Sequence, residues 1–157
     1  MITFHPIGYA KTPFEEIDNV PLQSAGISND IAELIIHEEF VEGLDDLHGF
    51  SHIYVLFHIH KAKGSALKVK PFLDTEHRGI FATRSPKRPN PIGLSIVEID
   101  RIEGGRVFVK GIDLLNGTPI IDIKPYIQSF DNIKDTKDGW YEQGFDPKTT
   151  LSDDRFA

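Results

Sequence analysis

The segment Ser51–Lys61, SHIYVLFHIHK, alternates most clearly along the chain. Ile53, Val55, Phe57 and Ile59 fall on one side of an extended strand, and His52, Tyr54, Leu56, His58 and His60 fall on the other. The first face is uniformly apolar and predicts a core; the second is amphipathic and suits a pocket or a contact between subunits. The opening, residues 2–10, also reads as a strand, with Pro6 confining it to an edge or an interruption. Residues 31–37, IAELIIH, are short and isoleucine-rich, which favours a strand over a helix. Apolar positions 40, 41, 44 and 47 fit a short helical turn over 40–48. Further strands are predicted at 80–83, 93–101, 105–112 and 119–124. The middle pair is joined by Glu103-Gly104-Gly105, a good hairpin turn. Residues 11–30, with Pro13, Pro21 and Gly26 and no sustained period, read as a long loop.

Six or seven short strands and hardly any helix predict a mainly β, single-domain barrel or sandwich. The domain is expected over residues 1–130. Residues 131–157 are polar apart from the only tryptophan, Trp140, and read as a surface extension of the same unit.

Length and composition bound the chemistry. At 157 residues and 39% hydrophobic, the chain has the size and content of one folded domain that needs no disulfide or metal staple. It has no cysteine, hence no disulfide framework, thiolate metal site or cysteine nucleophile. No apolar run is long enough to span a membrane, and the first residues lack a secretory pattern, so a cytoplasmic location is expected. His58 and His60 on one strand face resemble half of a metal site, but no further ligands stand in a metal-binding pattern and no metal is expected. Motifs of the common dinucleotide-binding, phosphate-loop and serine-hydrolase designs are absent.

Charge changes the picture once it is read by position. The net charge of −7 argues against a nucleic-acid partner. Yet residues 61–90 hold eight basic side chains (Lys61, Lys63, Lys68, Lys70, Arg78, Arg84, Lys87 and Arg88) against only Asp74 and Glu76. That segment carries +6, and the rest of the chain −13. It runs into GIFATRSPKRPNPIGLS (79–95), where Pro86, Pro89 and Pro91 enforce a stiff, extended loop. Rigidity beside Arg84, Lys87 and Arg88 suits an anion site, because little entropy is lost on binding. Asp113, ending a strand before Asn116-Gly117, either caps the turn or faces a cation, hydroxyl or amine. Asp122 and Lys124 share a strand face and can pair with each other.

The stretch Gly79–Ser95, with Ala82-Thr83-Arg84-Ser85 and Arg88-Pro89-Asn90-Pro91-Ile92-Gly93, resembles the signature of the TsaA-like family, whose characterised members are tRNA methyltransferase O enzymes. Pro6-Ile7-Gly8 with Thr12-Pro13-Phe14, Phe50–Phe57 with His60, and Asp113-Leu114 with Gly117-Thr118-Pro119 and Asp122–Tyr126 match the family's other segments in order, over residues 5–127. The resemblance implies a small β-barrel that binds S-adenosyl-L-methionine without a Rossmann fold, as a homodimer with the cofactor near the subunit interface. It implies methyl transfer to N6 of a threonylcarbamoyl-modified adenosine beside the tRNA anticodon. Carried over by position, the cofactor residues are Gln23, Ser24, Ala25, His60, Lys61, Arg84, Leu94, Asp113, Leu114, Leu115 and Asn116. Arg84 is expected to clamp the methionine carboxylate, and Asp113 to accept the N6 proton. Lys87, Arg88 and Asn90 are expected to contact the substrate. Asn116 stands where the family commonly has aspartate. Longer members continue into a second domain, which leaves two other readings open: a methyltransferase on a small acceptor, and a cofactor-sensing regulator.

Overall fold

The computed structural model describes residues 1–15, 30–71 and 74–142. Six strands close an antiparallel barrel: β1 (Gly8–Lys11), β2 (Ile31–Ile36), β3 (His52–His58), β6 (Ile92–Glu103), β7 (Arg106–Lys110) and β8 (Pro119–Pro125). Around the barrel the order is β1-β2-β7-β6-β3-β8, with β8 returning to β1 through Gly8↔Ile120 and Tyr9↔Pro119. Closure gives each of the six barrel strands a neighbour on both sides over at least part of its length. The two remaining strands, β4 (Lys68–Val69) and β5 (Arg78–Gly79), form a small separate ladder that the sequence pattern did not signal.

Alternation along β3 fills the barrel as expected: Ile53, opposite Val97 of β6, and Val55, opposite Ile123 of β8, are fully buried, as is Ile120 of β8 opposite Phe57. Ala32 and Leu34 of β2 and Val107 and Val109 of β7 complete the interior, and Ile112 and Leu114 beyond β7 join it. Phe57 also packs against this core, and its ring occupies the space a side chain on its cross-strand partner Gly93 would need. The predicted hairpin joins β6 to β7, with Gly104 at φ +57°. The expected helical turn is a pair of 3-10 helices, Glu38–Leu44 and Leu47–Gly49, so that Leu47 covers the core while the first segment stays on the surface.

Two expectations are corrected. The N-terminal strand spans Gly8–Lys11 rather than residues 2–10; Pro6 lacks the N–H a ladder needs. The strand expected at 80–83 is instead a 3-10 turn, Ile80–Ala82, in which Thr83 returns both its N–H (3.2 Å) and its hydroxyl (2.9 Å) to the Ile80 carbonyl. The apolar trio Ile80-Phe81-Ala82 lacks the period-two alternation of a half-buried strand: only Ile80 is buried. Where described, the C-terminal stretch contains an α-turn, α1 (Gln128–Asp131), and a 3-10 turn over Gly139–Glu142. The latter folds back, and Trp140 Nε1 donates to the Ala82 carbonyl at 2.7 Å. Asp122 and Lys124 pair at 3.0 Å, both substantially exposed.

Candidate functional site

Antiparallel pairing brings alternate strand ends together. The C-terminal ends of β1, β3 and β7 and the N-terminal ends of β2, β6 and β8 lie at one end of the barrel, as the registers His58↔Ile92, Ile31↔Lys110 and Tyr9↔Pro119 require. Segments 12–15, 59–61, 84–91 and 111–118 therefore emerge at that end. Gln23, Ser24 and Ala25, also expected in the site, lie outside the described residues.

Asp113 is the chemical centre of this end. β7 pairs only with residues 98–103 of β6, so the first half of β6 is laddered to β3 alone among the described strands. The chain leaving β7 crosses that unladdered stretch, and Asp113 Oδ1 accepts a hydrogen bond from the buried Ser95 hydroxyl at 2.5 Å. Removal from water pushes the Asp113 carboxyl up to about 6, an effect that the Ser95 hydroxyl and the positive charge of Arg84 oppose. A carboxyl so held has its proton equilibrium near neutral pH, where a proton acceptor is useful.

Arg84 acts on it at longer range, and His60 lies at the same end of the barrel. Arg84 acts on Asp113 and also on the Tyr141 hydroxyl, so the docked tail and the carboxyl share one guanidinium. His60 is half-buried and its pKa is lowered, first by desolvation and then by the charges of Lys61 and His58. This favours the neutral imidazole, with one nitrogen a donor and the other an acceptor.

Loop 12–15 is fastened across the same end. Thr12 donates its hydroxyl to the Leu114 carbonyl at 2.8 Å and its N–H to Asn116 Oδ1 at 3.1 Å. Asn116 Nδ2 donates to Glu15 Oε1 at 3.1 Å, its N–H to the Phe14 carbonyl at 2.7 Å, and Lys61 Nζ to the Glu15 carbonyl at 3.2 Å. The Asn116 amide thus joins two loops through both its oxygen and its nitrogen. Leu114 is buried in the core, so it offers a ligand its backbone rather than its side chain.

The proline-stiffened loop divides its basic residues by role. Arg88 turns inward: its Nη1 donates to the carbonyls of Thr83 (2.6 Å), Ile80 (3.1 Å) and Ser85 (3.4 Å). Lys87 is half-buried, with its carbonyl accepting from the Ala66 N–H at 3.1 Å. Asn90 is exposed and its carbonyl accepts from the Ile92 N–H at 2.7 Å. Leu94 is 57% exposed and lies on the outer face of β6, opposite to Ser95, so one chain does not bring it beside Asp113. Among the described residues no three metal-ligating side chains converge. Ser95, Thr12, Glu15 and Tyr141 are the participants without an individual role in the sequence reading. Ser95 and Thr12 stood inside the recognised motifs; nothing local marks Glu15 or Tyr141.

Comparison with known proteins agrees with the barrel fold. Residues 9–132 match the family described as the tRNA-methyltransferase O N-terminal domain. An S-adenosyl-L-methionine-binding protein of Archaeoglobus fulgidus is 44% identical over 126 residues, covering 80% of this chain and 90% of that protein. The human tRNA (adenine(37)-N6)-methyltransferase is 38% identical over 134 residues, covering 81% of this chain and 30% of the enzyme. The crystal structure of TrmO from Pseudomonas aeruginosa superposes with a TM-score of 0.75 at 36% identity, over 89% of this chain and 62% of that one. The chain therefore spans under a third of the human enzyme and under two-thirds of the bacterial structure.

Proposed function

The chain belongs to the tRNA-methyltransferase O N-terminal domain family, and from that premise we propose that it is an S-adenosyl-L-methionine-dependent methyltransferase acting on N6 of an adenine in tRNA. The observation that carries the reading is the desolvated Asp113 carboxyl, held by Ser95 beside Arg84 at the barrel end where the family's segments meet. The acceptor favoured is the threonylcarbamoyl-modified adenosine next to the anticodon.

The residues fit the cofactor. Arg84 and Lys61 supply positive charge for a carboxylate, the neutral His60 and the backbone of Leu114 and Leu115 supply polar contacts, and Asp113 supplies negative charge for an ammonium or sulfonium. Gln23, Ser24 and Ala25 complete the expected set. When bound, the cofactor supplies an electrophilic methyl group on a positively charged sulfur. The chain's own work is to align the adenine amine with that group and to remove water, which needs rigid loops more than a strong base. Asn116 and Thr12 provide the rigidity. The N6 proton released on alkylation passes to the Asp113 carboxylate.

Homodimerisation is part of the same proposal. Ile92, Leu94 and Ile96 form an exposed apolar row on β6, beside Leu56 and Tyr54 of β3. Leu94 reaches a cofactor only if a second copy packs there. tRNA as substrate implies a cytoplasmic location. A second reading, cofactor binding without tRNA methylation, draws on the Archaeoglobus protein of similar length, whose name specifies binding alone.

The test is transfer of labelled methyl to tRNA with and without the threonylcarbamoyl group, preceded by calorimetry with S-adenosyl-L-methionine. Incorporation that depends on the modification is expected. Tight cofactor binding with no incorporation into any tRNA favours the second reading, and equal cofactor binding by Arg84→Ala overturns the site.

A further inference from the structure

The 3-10 turn Ile80–Ala82 buries one side chain and presents another. Ile80 is 1% exposed, whereas Phe81 is 76% exposed. The backbone on either side of Phe81 is held from three directions. Ile80 N–H donates to the Leu67 carbonyl at 2.9 Å, Arg88 Nη1 binds the Ile80 and Thr83 carbonyls, and Trp140 Nε1 binds the Ala82 carbonyl. An aromatic ring pushed into water on so fixed a backbone gains little from the fold.

Its surroundings say what would cover it. The Arg88 guanidinium lies 5.9 Å from the ring centre. Lys68 and Lys70, on and just after β4, are exposed within the +6 segment of an otherwise acidic chain. Phe81 also stands three residues before Arg84, within roughly 10 Å of chain. Lys68 pairs with Gly79, two residues before Phe81, and the exposed Leu67 precedes it, so the π face stands beside one apolar side chain and several cations. That mixture matches an unpaired base joined to phosphates; an apolar protein surface would bury those lysines without partners. The geometry points to Phe81 as a stacking platform for an unpaired base of the RNA, with Lys68 and Lys70 contacting the flanking phosphates. This inference rests on the reading of the chain as a tRNA enzyme.

The test uses binding of a fluorescein-labelled anticodon stem-loop RNA, read by anisotropy, so that it does not depend on methyl transfer. Phe81→Ala is expected to weaken binding roughly 5- to 150-fold, the range for loss of one stacked base. Phe81→Trp is expected to retain affinity and Phe81→Leu to lose it, while calorimetry shows cofactor affinity unchanged in all three. Lys68→Gln and Lys70→Gln are each expected to flatten the dependence of log affinity on log salt by about one, a slope Phe81→Ala leaves alone. Wild-type affinity in Phe81→Ala, rescue by leucine, or a parallel loss of cofactor binding each overturns the proposal with the tRNA reading intact. Dissociation of a wild-type oligomer by Phe81→Ala also overturns it, by giving the ring to a second copy. RNA binding that needs Phe81 in a protein that transfers no methyl upholds the platform while the enzymatic reading fails; a wild type that binds no RNA removes both.

Discussion

Asp113 joins chemistry and stability in one side chain. Burial holds its carboxyl near 6 instead of the ordinary 3.8, so the folded protein favours the neutral form. Its contribution to stability is fully present below the ordinary carboxylate pKa and is lost as pH rises through about 6. Above that, ionisation costs up to about 3 kcal/mol. Asp113→Asn is therefore expected to be the more stable protein at pH 8 by a margin of that order, in urea unfolding, with no gain from this source at pH 3.5. The same substitution is expected to lower kcat by roughly a hundredfold or more and, by removing the negative charge opposite the cofactor's cation, to weaken cofactor binding as well. It is also expected to abolish the rise of the wild-type rate through pH 6. An unchanged pH–rate profile in Asp113→Asn removes the proton-acceptor role. The sequence placed Asp113 at a strand end and left its role open between a turn cap and a contact with a cation, hydroxyl or amine. In the fold its carboxyl meets the Ser95 hydroxyl, from 18 positions away. Arg88 shows the opposite outcome of the same difficulty. Its place in a basic, proline-rich loop suggested an outward cation, but Nη1 faces backbone carbonyls, because three tightly turned residues left acceptors that need a donor.

Strand β3 was legible as an element because alternation is a local property, and its inward and outward faces stand as the pattern predicts. Strands β6, β7 and β8 follow for the same reason, within one or two residues at their ends. Elements that lack a period were not legible: β4 and β5 are two residues each, and the Ile80–Ala82 turn mimicked a strand by composition alone. Gly93 is a case between the two. The motif flags it, and the β3–β6 register explains it, since a Cβ there would enter the Phe57 ring. Gly93→Ala is expected to destabilise the barrel by about 1–3 kcal/mol, measured as a shift in the urea midpoint at constant m. Phe57→Leu in the same chain is expected to recover part of that loss. If the two changes are simply additive, the ring is not the obstacle.

At the scale of the whole molecule, the apolar row Ile92, Leu94 and Ile96 departs from an ordinary β surface. A polar face toward water is the rule for an antiparallel sheet, and an exposed apolar row marks a contact. Leu94→Glu is expected to convert a wild-type dimer to monomer in sedimentation equilibrium, since two copies would each bury an unpaired carboxylate. Circular dichroism is expected to stay unchanged, as Leu94 lies outside the barrel interior. A wild-type monomer at the concentrations where the protein binds its cofactor rules the interface out.

What the sequence determined by itself was periodic or contiguous: the β class, most strands and their faces, the β6–β7 hairpin, the basic segment and the motifs of the family. Only the tertiary structure decided that β8 meets β1, that Asp113 loses its water to Ser95, and that Asn116 ties down loop 12–15 from over a hundred residues away. It also decided that Trp140 pins the turn carrying Phe81. Local pattern follows from chain geometry over a few residues, but each of these contacts exists only because barrel closure brings distant backbone together. The chemistry of the site depends on that closure, since burial sets the proton affinity of a carboxyl and no spacing along the chain records it.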